Sequence, residues 1–184
     1  MLFNVLEATA LAAPALQTGS GNLLDADVEA LVNTVNTVGV MGKGLALQFK
    51  RRFPSNYEVY VSACSRGEVQ VGRMLVVETT WHAGPRLIIN FPTKKHWRDL
   101  SRLEYVSAGL DALVGEVRMR GIRSIAIPPL GCGNGGLAWS DVRPLIERAV
   151  LDLPGVRVLL FSPVAAEDLR PQISTAQLGL TLGD

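Results

Sequence analysis

The chain has 184 residues, 48% of them hydrophobic, which suits one domain with a packed core and excludes a disordered chain. Its 18 Lys and Arg against 17 Asp and Glu give a formal net charge of +1, which excludes a global basic field that would hold a polyanion without specificity. Two cysteines exclude a disulfide framework and cannot alone make a metal site, and no apolar run could span a bilayer, so we expect a cytoplasmic protein without membrane contact.

Predicted helices and strands alternate along the chain. The Ala-rich segment 1–14 is predicted as an arm or an extra strand, and 164–184 as a tail. Residues 25–32 are predicted as a short helix that runs into a strand, with Asp25 as its N-cap. The other predicted elements are helices over 44–53 and from Pro54 to near Gly67, strands over 72–78 and 86–91, a helix over 101–120, a strand over 123–127, a helix over 140–151 and a strand over 156–161.

This alternation predicts an α/β domain with a largely parallel sheet that helices cover on both faces. In such sheets, ligands bind to the loops at the carboxyl ends of the strands. Three segments of the sequence have the composition of such loops.

The first segment is glycine-rich, LGCGNGGL at 130–137, between a predicted buried strand and a helix. Glycines let main-chain N–H groups approach a ligand closely, and successive N–H groups next to a helix N-terminus suit phosphate. Gly131, Gly133 and Gly136 also match the G-x-G-x-x-G dinucleotide pattern. The match is late in the chain and no acidic residue ends the next strand, LLFSP, which disfavours a dinucleotide-dependent enzyme. We interpret the segment as an anion-binding loop, with a tight turn of several positive φ angles as the alternative.

The second segment is NTVNTVGVMGKGLALQFK at 33–50. Its GVMGKG part fails the Walker A pattern, because Thr37 replaces the first glycine and Gly44 replaces the Ser or Thr that would hold magnesium. A nucleotide triphosphatase is therefore rejected. Asn33 and Asn36 follow a predicted strand, where their amides could bind sugar hydroxyls or simply cap a turn.

The third segment is NFPTKKHWR at 90–98, where a predicted buried strand ends in a cluster of basic and aromatic residues. In an extended chain, Lys94 and His96 would project to one side while Lys95 and Trp97 point away. A Lys–His pair near an anion-binding loop suits a nucleophile or an acid–base site, and Trp97 suits base stacking. A solvated basic strand end is the alternative.

Together with GNLL at 21–24, these segments resemble the macrodomain family, the ADP-ribose-binding fold, from about Gly19 to Ser162. NTVNTVGVMGKGLALQFK with FPTKKHWR is similar to the macrodomains of DarG antitoxins, and also to the terminal ADP-ribose protein glycohydrolases. The resemblance implies a three-layer macrodomain over 15–163, with a mixed, largely parallel sheet flanked by helices. It implies ADP-ribose as ligand and product, and neither metal nor cofactor. We expect a monomer.

The resemblance also implies which residues form the site. The late glycines would hold the diphosphate, the early segment the distal ribose, and Lys94 would be catalytic, with Asn134 beside it. His96, from the Lys–His spacing rather than the resemblance, is predicted as a further catalytic residue. An aspartate common in the family is Asn22 here, and one that works beside the lysine is Asn134; an amide can hydrogen-bond a sugar but is no acid or base at neutral pH. The implied ligand-binding residues are Asn22, Leu23, Asn33, Asn36, Gly42, Lys43, Gly44, Pro129, Gly131, Cys132, Gly133, Asn134, Gly135 and Gly136.

The implied activity is hydrolysis of mono-ADP-ribose from thymidine in DNA or from Glu and Asp of proteins. We favour a protonated Lys94 that assists the leaving group over a neutral Lys94 that attacks, with His96 shuttling the proton or holding the leaving group. A nucleic-acid rim of Lys95, Trp97 and Arg98 is predicted, extended by Lys43, Lys50, Arg51 and Arg52. The rival functions are a reader that binds ADP-ribose without cleaving it and a deacetylase of O-acetyl-ADP-ribose.

Overall fold

The structure, a computed structural model, describes residues 15–80 and 84–163. The segments predicted as an arm (1–14) and as a tail (164–184) lie outside the described residues, so the limits of the domain stay predictions. Within the described ranges, no helix combines the length and the apolar character needed to cross a bilayer.

The strands of the described residues form one six-stranded sheet. They are β1 (Ala15–Thr18), β2 (Ala30–Val35), β3 (Leu75–Glu78), β4 (Leu87–Pro92), β5 (Ser124–Ile127) and β6 (Arg157–Leu160). Their order across the sheet is β1-β6-β5-β2-β4-β3, and neighbouring strands are parallel except for β3 and β4. The predicted mixed, largely parallel sheet is therefore confirmed.

Helices cover both faces of this sheet. They are α1 (Gly44–Arg52), α2 (Pro54–Ser65), α3 (Leu103–Met119) and α4 (Trp139–Val150). Because alternate residues of a strand face opposite sides, Val32 of β2 packs with α3 and α4, whereas Leu31 packs with Phe49 of α1. On the same face as Leu31, Val35 packs with Tyr60 of α2. The predicted three-layer arrangement is confirmed.

The ends of most elements lie within three residues of their predicted positions, but the helix predicted to begin at Asp25 is wrong. The structure has a single turn of 3-10 helix, Leu23–Asp25, whose N-cap is Asn22: its Oδ1 accepts a hydrogen bond from the N–H of Leu24 at 3.1 Å. The turn lies earlier because Leu23 and Leu24 are both buried against the α1 face of the sheet.

The five parallel strands all end at one edge of the sheet, and the segments predicted to carry chemistry follow them. We call residues 36–43, after β2, the early loop. Residues 94–99, after β4, are the lysine turn, and residues 128–138, after β5, are the late loop.

Close packing of α3 on β4 fixes the strand end that leads to the lysine turn. Gly109 of α3 is buried, and a Cβ on it would lie 2.2 Å from the ring of Phe91, itself fully buried in β4. We therefore expect Gly109→Ala to lower the free energy of unfolding by about 1–3 kcal/mol. Gly115 of the same helix has nothing within 4 Å of such a Cβ, so Gly115→Ala should raise that free energy by about 0.5–1 kcal/mol.

Urea unfolding of both variants beside the parent chain checks this expectation. Equal midpoints for Gly109→Ala and the parent would contradict the close contact between α3 and β4.

Candidate active site

The late loop is folded by glycines that serve two different purposes. Gly131 and Gly136 have positive φ angles of 72° and 78°. Gly135 is needed for space instead, because a Cβ on it would lie 2.2 Å from the carbonyl oxygen of Gly131 and 2.3 Å from Oγ of Ser101. The main chain of Ser101 donates to the carbonyl of Gly135 at 2.9 Å, so the chain after β4 closes this loop from one side.

Three consecutive main-chain N–H groups of the late loop remain available. The N–H groups of Cys132, Gly136 and Leu137 donate within the loop, at 3.1 Å each. Those of Gly133 to Gly135 donate to no acceptor in the part of the chain that the structure describes. Successive free N–H groups in a glycine-rich turn are able to bind an anion. An anion-binding role for the late loop stays a prediction.

The early loop is held by the side chain of Asn36. Its Oδ1 accepts from the N–H groups of Val38 and Val40 at 3.0 and 3.3 Å, and its Nδ2 donates to the carbonyl of Val40 at 2.6 Å. The hydroxyl of Tyr60 donates to both oxygens of Asn36, at 2.8 and 3.1 Å. The side chain of Asn36 therefore caps the loop, which is one of the two roles predicted for it. The other role, a contact to a sugar hydroxyl, stays a prediction.

Asn33 lies inside β2 rather than in the loop after it. It is fully buried opposite Asn90 of β4, and its Nδ2 donates to Oδ1 of Asn90 at 3.0 Å. Asn90 in turn exchanges hydrogen bonds with Asn56 of α2, at 2.7 and 3.3 Å. Oδ1 of Asn33 has no partner among the described residues. Because Asn33 is fully buried, none of its side chain reaches the exposed surface. A direct ligand contact by Asn33 stays a prediction.

The late loop approaches Gly44, the first residue of α1, directly after the early loop. The φ of Gly44 is +57°, and a Cβ there would lie 2.8 Å from Nδ2 of Asn134. Gly42 and Lys43 precede it as exposed residues at the same edge of the sheet. The predicted ribose-binding segment and the side chain of Asn134 are therefore brought together.

Lys94 is nine-tenths buried where β4 ends, and its amine lies against the late loop. Nζ donates to the main-chain carbonyls of Asp99 and Asn134, at 2.8 Å each. Burial lowers the pKa of Lys94, and the Asp99 carboxylate partly offsets that effect by raising it. With two positions used by carbonyls, one N–H of the ammonium form, or the lone pair of the neutral amine, is left for a ligand.

The chain turns after Lys94, so the predicted extended alternation of residues 94–97 is wrong. The N–H of Asp99 donates to the carbonyl of His96 at 3.1 Å, which closes a turn. The rings of His96 and Trp97 lie 5.3 Å apart at 33°, in contact rather than on opposite sides. The guanidinium carbon of Arg98 lies 4.5 Å from the Trp97 ring centroid, so the half-buried His96 and the exposed Trp97 and Arg98 form one stack in the lysine turn.

The other predicted rim cations are arranged differently. The carbonyl of Lys95 accepts from the N–H and Oγ1 of Thr37, at 3.0 and 2.8 Å, so the lysine turn is tied to the early loop. In α1, Nζ of Lys50 lies 4.1 Å over the Tyr57 ring, and Arg52 pairs with Asp25 at 3.0 Å. Lys95 thus lies in the turn tied to the early loop, whereas Lys50 and Arg52 make their contacts with Tyr57 and Asp25.

A cleft of about 360 Å³ opens beyond β1 and β6, at the other end of the same edge. Gly19 and Phe161 both line it, and the ring of Phe161 packs so closely on Gly19 that a Cβ there would lie 2.4 Å from it. Asn22 lies at its wall with Nδ2 available, since Oδ1 caps Leu24. The side chain of Leu23 is buried in the core, so any contact from it is through the main chain.

Phe161, Ser101 and Asp99 also contribute to this edge of the sheet, although they were not among the predicted site residues. Phe161 is the first residue after β6, where the topology places ligand contacts, and that position was the available signal. Nothing in the sequence marks Ser101 or Asp99, which approach the late loop and Lys94 through the path of the main chain.

Neither a metal centre nor a cysteine nucleophile is favoured among the described residues. They contain no group of three His, Cys, Asp or Glu that could hold a metal ion. Both thiols are free, and burial, helped by Asp141, raises the pKa of Cys132 to about 11, so this thiol of the late loop is protonated at neutral pH.

Pro129, which was predicted to contact the ligand, is half-buried near the start of the late loop.

The Macro domain family model matches residues 32–146 of the chain. The DNA ADP-ribosyl glycohydrolase of Thermus aquaticus is 61% identical over 144 residues, which are 78% of this chain and 40% of that relative. The chain therefore spans about two fifths of the length of the relatives with this name.

Solved structures agree with this match. The macrodomain of Mycobacterium tuberculosis DarG has a TM-score of 0.80 and 56% identity, covering 81% of this chain and 98% of that chain. Thermosipho africanus DarTG in complex with ADP-ribose has a TM-score of 0.77 and 35% identity, covering 82% of this chain and 42% of that one. The human relative named ADP-ribose glycohydrolase OARD1 is more distant, 24% identical over 134 residues (73% of this chain, 82% of that relative). The chain belongs to the macrodomain family.

Proposed function

We propose that the chain is an ADP-ribosyl hydrolase that releases ADP-ribose from modified DNA, with Lys94 at the ribose carbon that carries the modification. The observation that carries this proposal is the position of the Lys94 amine, which two main-chain carbonyls fix against the late loop. The 61% identity to a relative named DNA ADP-ribosyl glycohydrolase supports DNA, rather than protein, as the carrier of the modification.

The order of the strands supports a pose for ADP-ribose along the sheet edge. From β1 to β4 the edge carries, in turn, the cleft at Asn22 and Phe161, the late loop, the early loop and Lys94. The ligand has the same order of parts: adenine, diphosphate, distal ribose and leaving group. Adjacent strands lie about 4.8 Å apart, so the ends of β1 and β4 lie about 19 Å apart, the scale of an extended dinucleotide-like ligand. The side chain of Lys94 reaches back from the end of β4 to the late loop.

In this pose the free N–H groups of Gly133 to Gly135 bind the diphosphate. Adenine occupies the cleft, against the ring of Phe161, with Nδ2 of Asn22 as an uncharged donor. The amide of Asn134, held against Gly44, binds a hydroxyl of the distal ribose. None of these contacts requires a metal ion.

The proposed chemistry uses Lys94 as an ammonium group. The bond between the anomeric carbon and the base breaks with its electron pair going to the base, and the carbon gains oxocarbenium character. The third N–H of Lys94 donates to the departing thymine and stabilises its negative charge. A water molecule then adds its oxygen to the anomeric carbon, and the proton that it loses neutralises the thymine anion.

His96 has the geometry of a hydrogen-bond donor in this scheme. Its Nδ1 accepts from the N–H of Arg98 at 3.3 Å, so a neutral imidazole carries its hydrogen on Nε2. That hydrogen is available to hold the leaving group, whereas the lone pair needed to accept a proton is in use. Of the two roles predicted for His96, we therefore propose the second.

Binding of the diphosphate is tested by Gly135→Ala. The added methyl group collides with the Gly131 carbonyl and displaces the free N–H groups, so we expect the Kd for ADP-ribose to rise at least about tenfold. Isothermal titration calorimetry measures it, with Gly115→Ala as the control glycine outside the loop. An unchanged Kd in a folded Gly135→Ala variant would exclude the late loop from binding.

Catalysis is tested by Lys94→Ala. Loss of the ammonium group should lower turnover of an ADP-ribosylated thymidine oligonucleotide at least about 100-fold, while the Kd for ADP-ribose changes less than about threefold. Arg86→Ala, an exposed cation at the opposite end of β4, should leave turnover unchanged. Full turnover by Lys94→Ala would remove this residue from the mechanism.

Matched substrates separate the alternative functions in the same assay. The parent chain is given ADP-ribosylated DNA, ADP-ribosylated protein and O-acetyl-ADP-ribose, and the release of ADP-ribose is measured. Release from protein alone would contradict the DNA substrate. Binding of ADP-ribose without release from any of the three would identify a reader.

The rim is tested separately, because Lys95, Trp97 and Arg98 lie outside the pocket. We expect Trp97→Ala to lower kcat/KM for the modified oligonucleotide about tenfold, since a base would lose its contact with the exposed part of the Trp97 side chain. Arg98→Ala should reduce the slope of log(kcat/KM) against log[salt] by about 1. The Kd for free ADP-ribose should not change in either variant. An equal loss on a modified peptide would show that the stack does not recognise nucleic acid.

A further inference from the structure

Asp99 engages Lys94 and its turn through three separate groups. Its carbonyl accepts from Nζ of Lys94 at 2.8 Å, and its N–H donates to the carbonyl of His96 at 3.1 Å. Its carboxylate oxygen Oδ2 accepts from the N–H of His96 at 3.1 Å. Asp99, which accepts from the amine of Lys94, is thus itself held by two hydrogen bonds to His96.

The carboxylate of Asp99 also acts on the charge of Lys94. Burial lowers the pKa of Lys94, and the negative charge of Asp99 raises it. The charged and titratable side chains on the segments that meet at Lys94 are Asp99, Lys95, His96 and Arg98 on its own turn, Lys43 on the early loop and Cys132 on the late loop. Among these described side chains, Asp99 is the one that has a carboxylate. The late loop has the uncharged amide of Asn134 rather than a carboxylate.

We propose that Asp99 is a positioning residue that holds Lys94 as an oriented ammonium group. The proposal rests on the function proposed above, and it assigns to the lysine turn a negative charge that the late loop does not provide. The exposed carboxylate does not touch the reacting atoms; it acts through the turn and through the field at Nζ.

The proposal predicts how activity depends on pH. An ammonium group donates only below its pKa, so turnover should fall as the pH rises through the pKa of Lys94. The charge of Asp99 raises that pKa, so removing the charge lowers it. The alkaline limb of the kcat profile should therefore move to lower pH when Asp99 is neutral.

Two variants separate the turn from the charge. Asp99→Asn keeps an oxygen that can accept from His96 and loses only the charge, so the alkaline limb should shift to lower pH while kcat on the acidic side is retained. Asp99→Ala loses both, and its kcat should also fall at least about tenfold, because the amine is less well oriented. The Kd for ADP-ribose should stay within about twofold in both. Asp111→Asn, a charge removed from an exposed site on α3, is the matched control.

A second readout does not depend on hydrolysis. The Cε resonance of Lys94, assigned by its loss in Lys94→Arg, is followed by NMR against pH in the parent chain and in Asp99→Asn. A midpoint that moves to lower pH in the variant supports the proposal even if no substrate is cleaved, so failure of the proposed function is distinguishable. An unmoved NMR midpoint or alkaline limb in Asp99→Asn, or parent kcat in Asp99→Ala, overturns it.

Discussion

A lysine that is nine-tenths buried must find acceptors for its N–H groups, and Lys94 finds two main-chain carbonyls at 2.8 Å. One belongs to its own turn and the other to the late loop, so a single amine joins two loops that follow different strands. Carbonyl acceptors add no negative charge, which leaves the protonation of Lys94 sensitive to burial and to Asp99. The amine of Lys94 thus has a fixed position, while its protonation depends on the surrounding groups.

The other contacts between loops likewise join segments that follow different strands. Thr37 donates to the carbonyl of Lys95, Gly44 at the start of α1 approaches Asn134, and Ser101 donates to the carbonyl of Gly135, so each loop of the edge is held by another. Loops of irregular chain gain definite positions in this way without regular secondary structure. A ligand that lies along the edge therefore meets groups whose spacing is set by the sheet.

Much of the fold followed from local patterns, because buried strands and amphipathic helices leave periodic signals. The three-four spacing that placed α3 over 101–120 is an example, and its observed span is Leu103–Met119. The glycines of the late loop also carried a local signal. The stack of His96, Trp97 and Arg98 had no such local signal. The side chain of Asp99, five residues after Lys94, closes a turn by accepting from the N–H of His96, so the chain is not extended there and its side chains do not alternate. The close packing of Phe161 on Gly19 joins two lining residues of the cleft that are over 140 residues apart in sequence, and no local pattern reports such a pairing.

The buried amides of Asn33, Asn90 and Asn56 have a consequence for the alignment of the two strands on which the site depends. Asn90 uses all of its hydrogen-bonding capacity, since Nδ2 donates to Asn56 and to the carbonyl of Leu75 while Oδ1 accepts from both asparagines. Sliding β4 past β2 by one residue would set Ile89 or Phe91 against Asn33 and strand buried amides at a cost of about 1–3 kcal/mol each. Polar groups deep in an apolar sheet thereby exclude misregistered pairings and hold Asn36 and Lys94 at a constant offset.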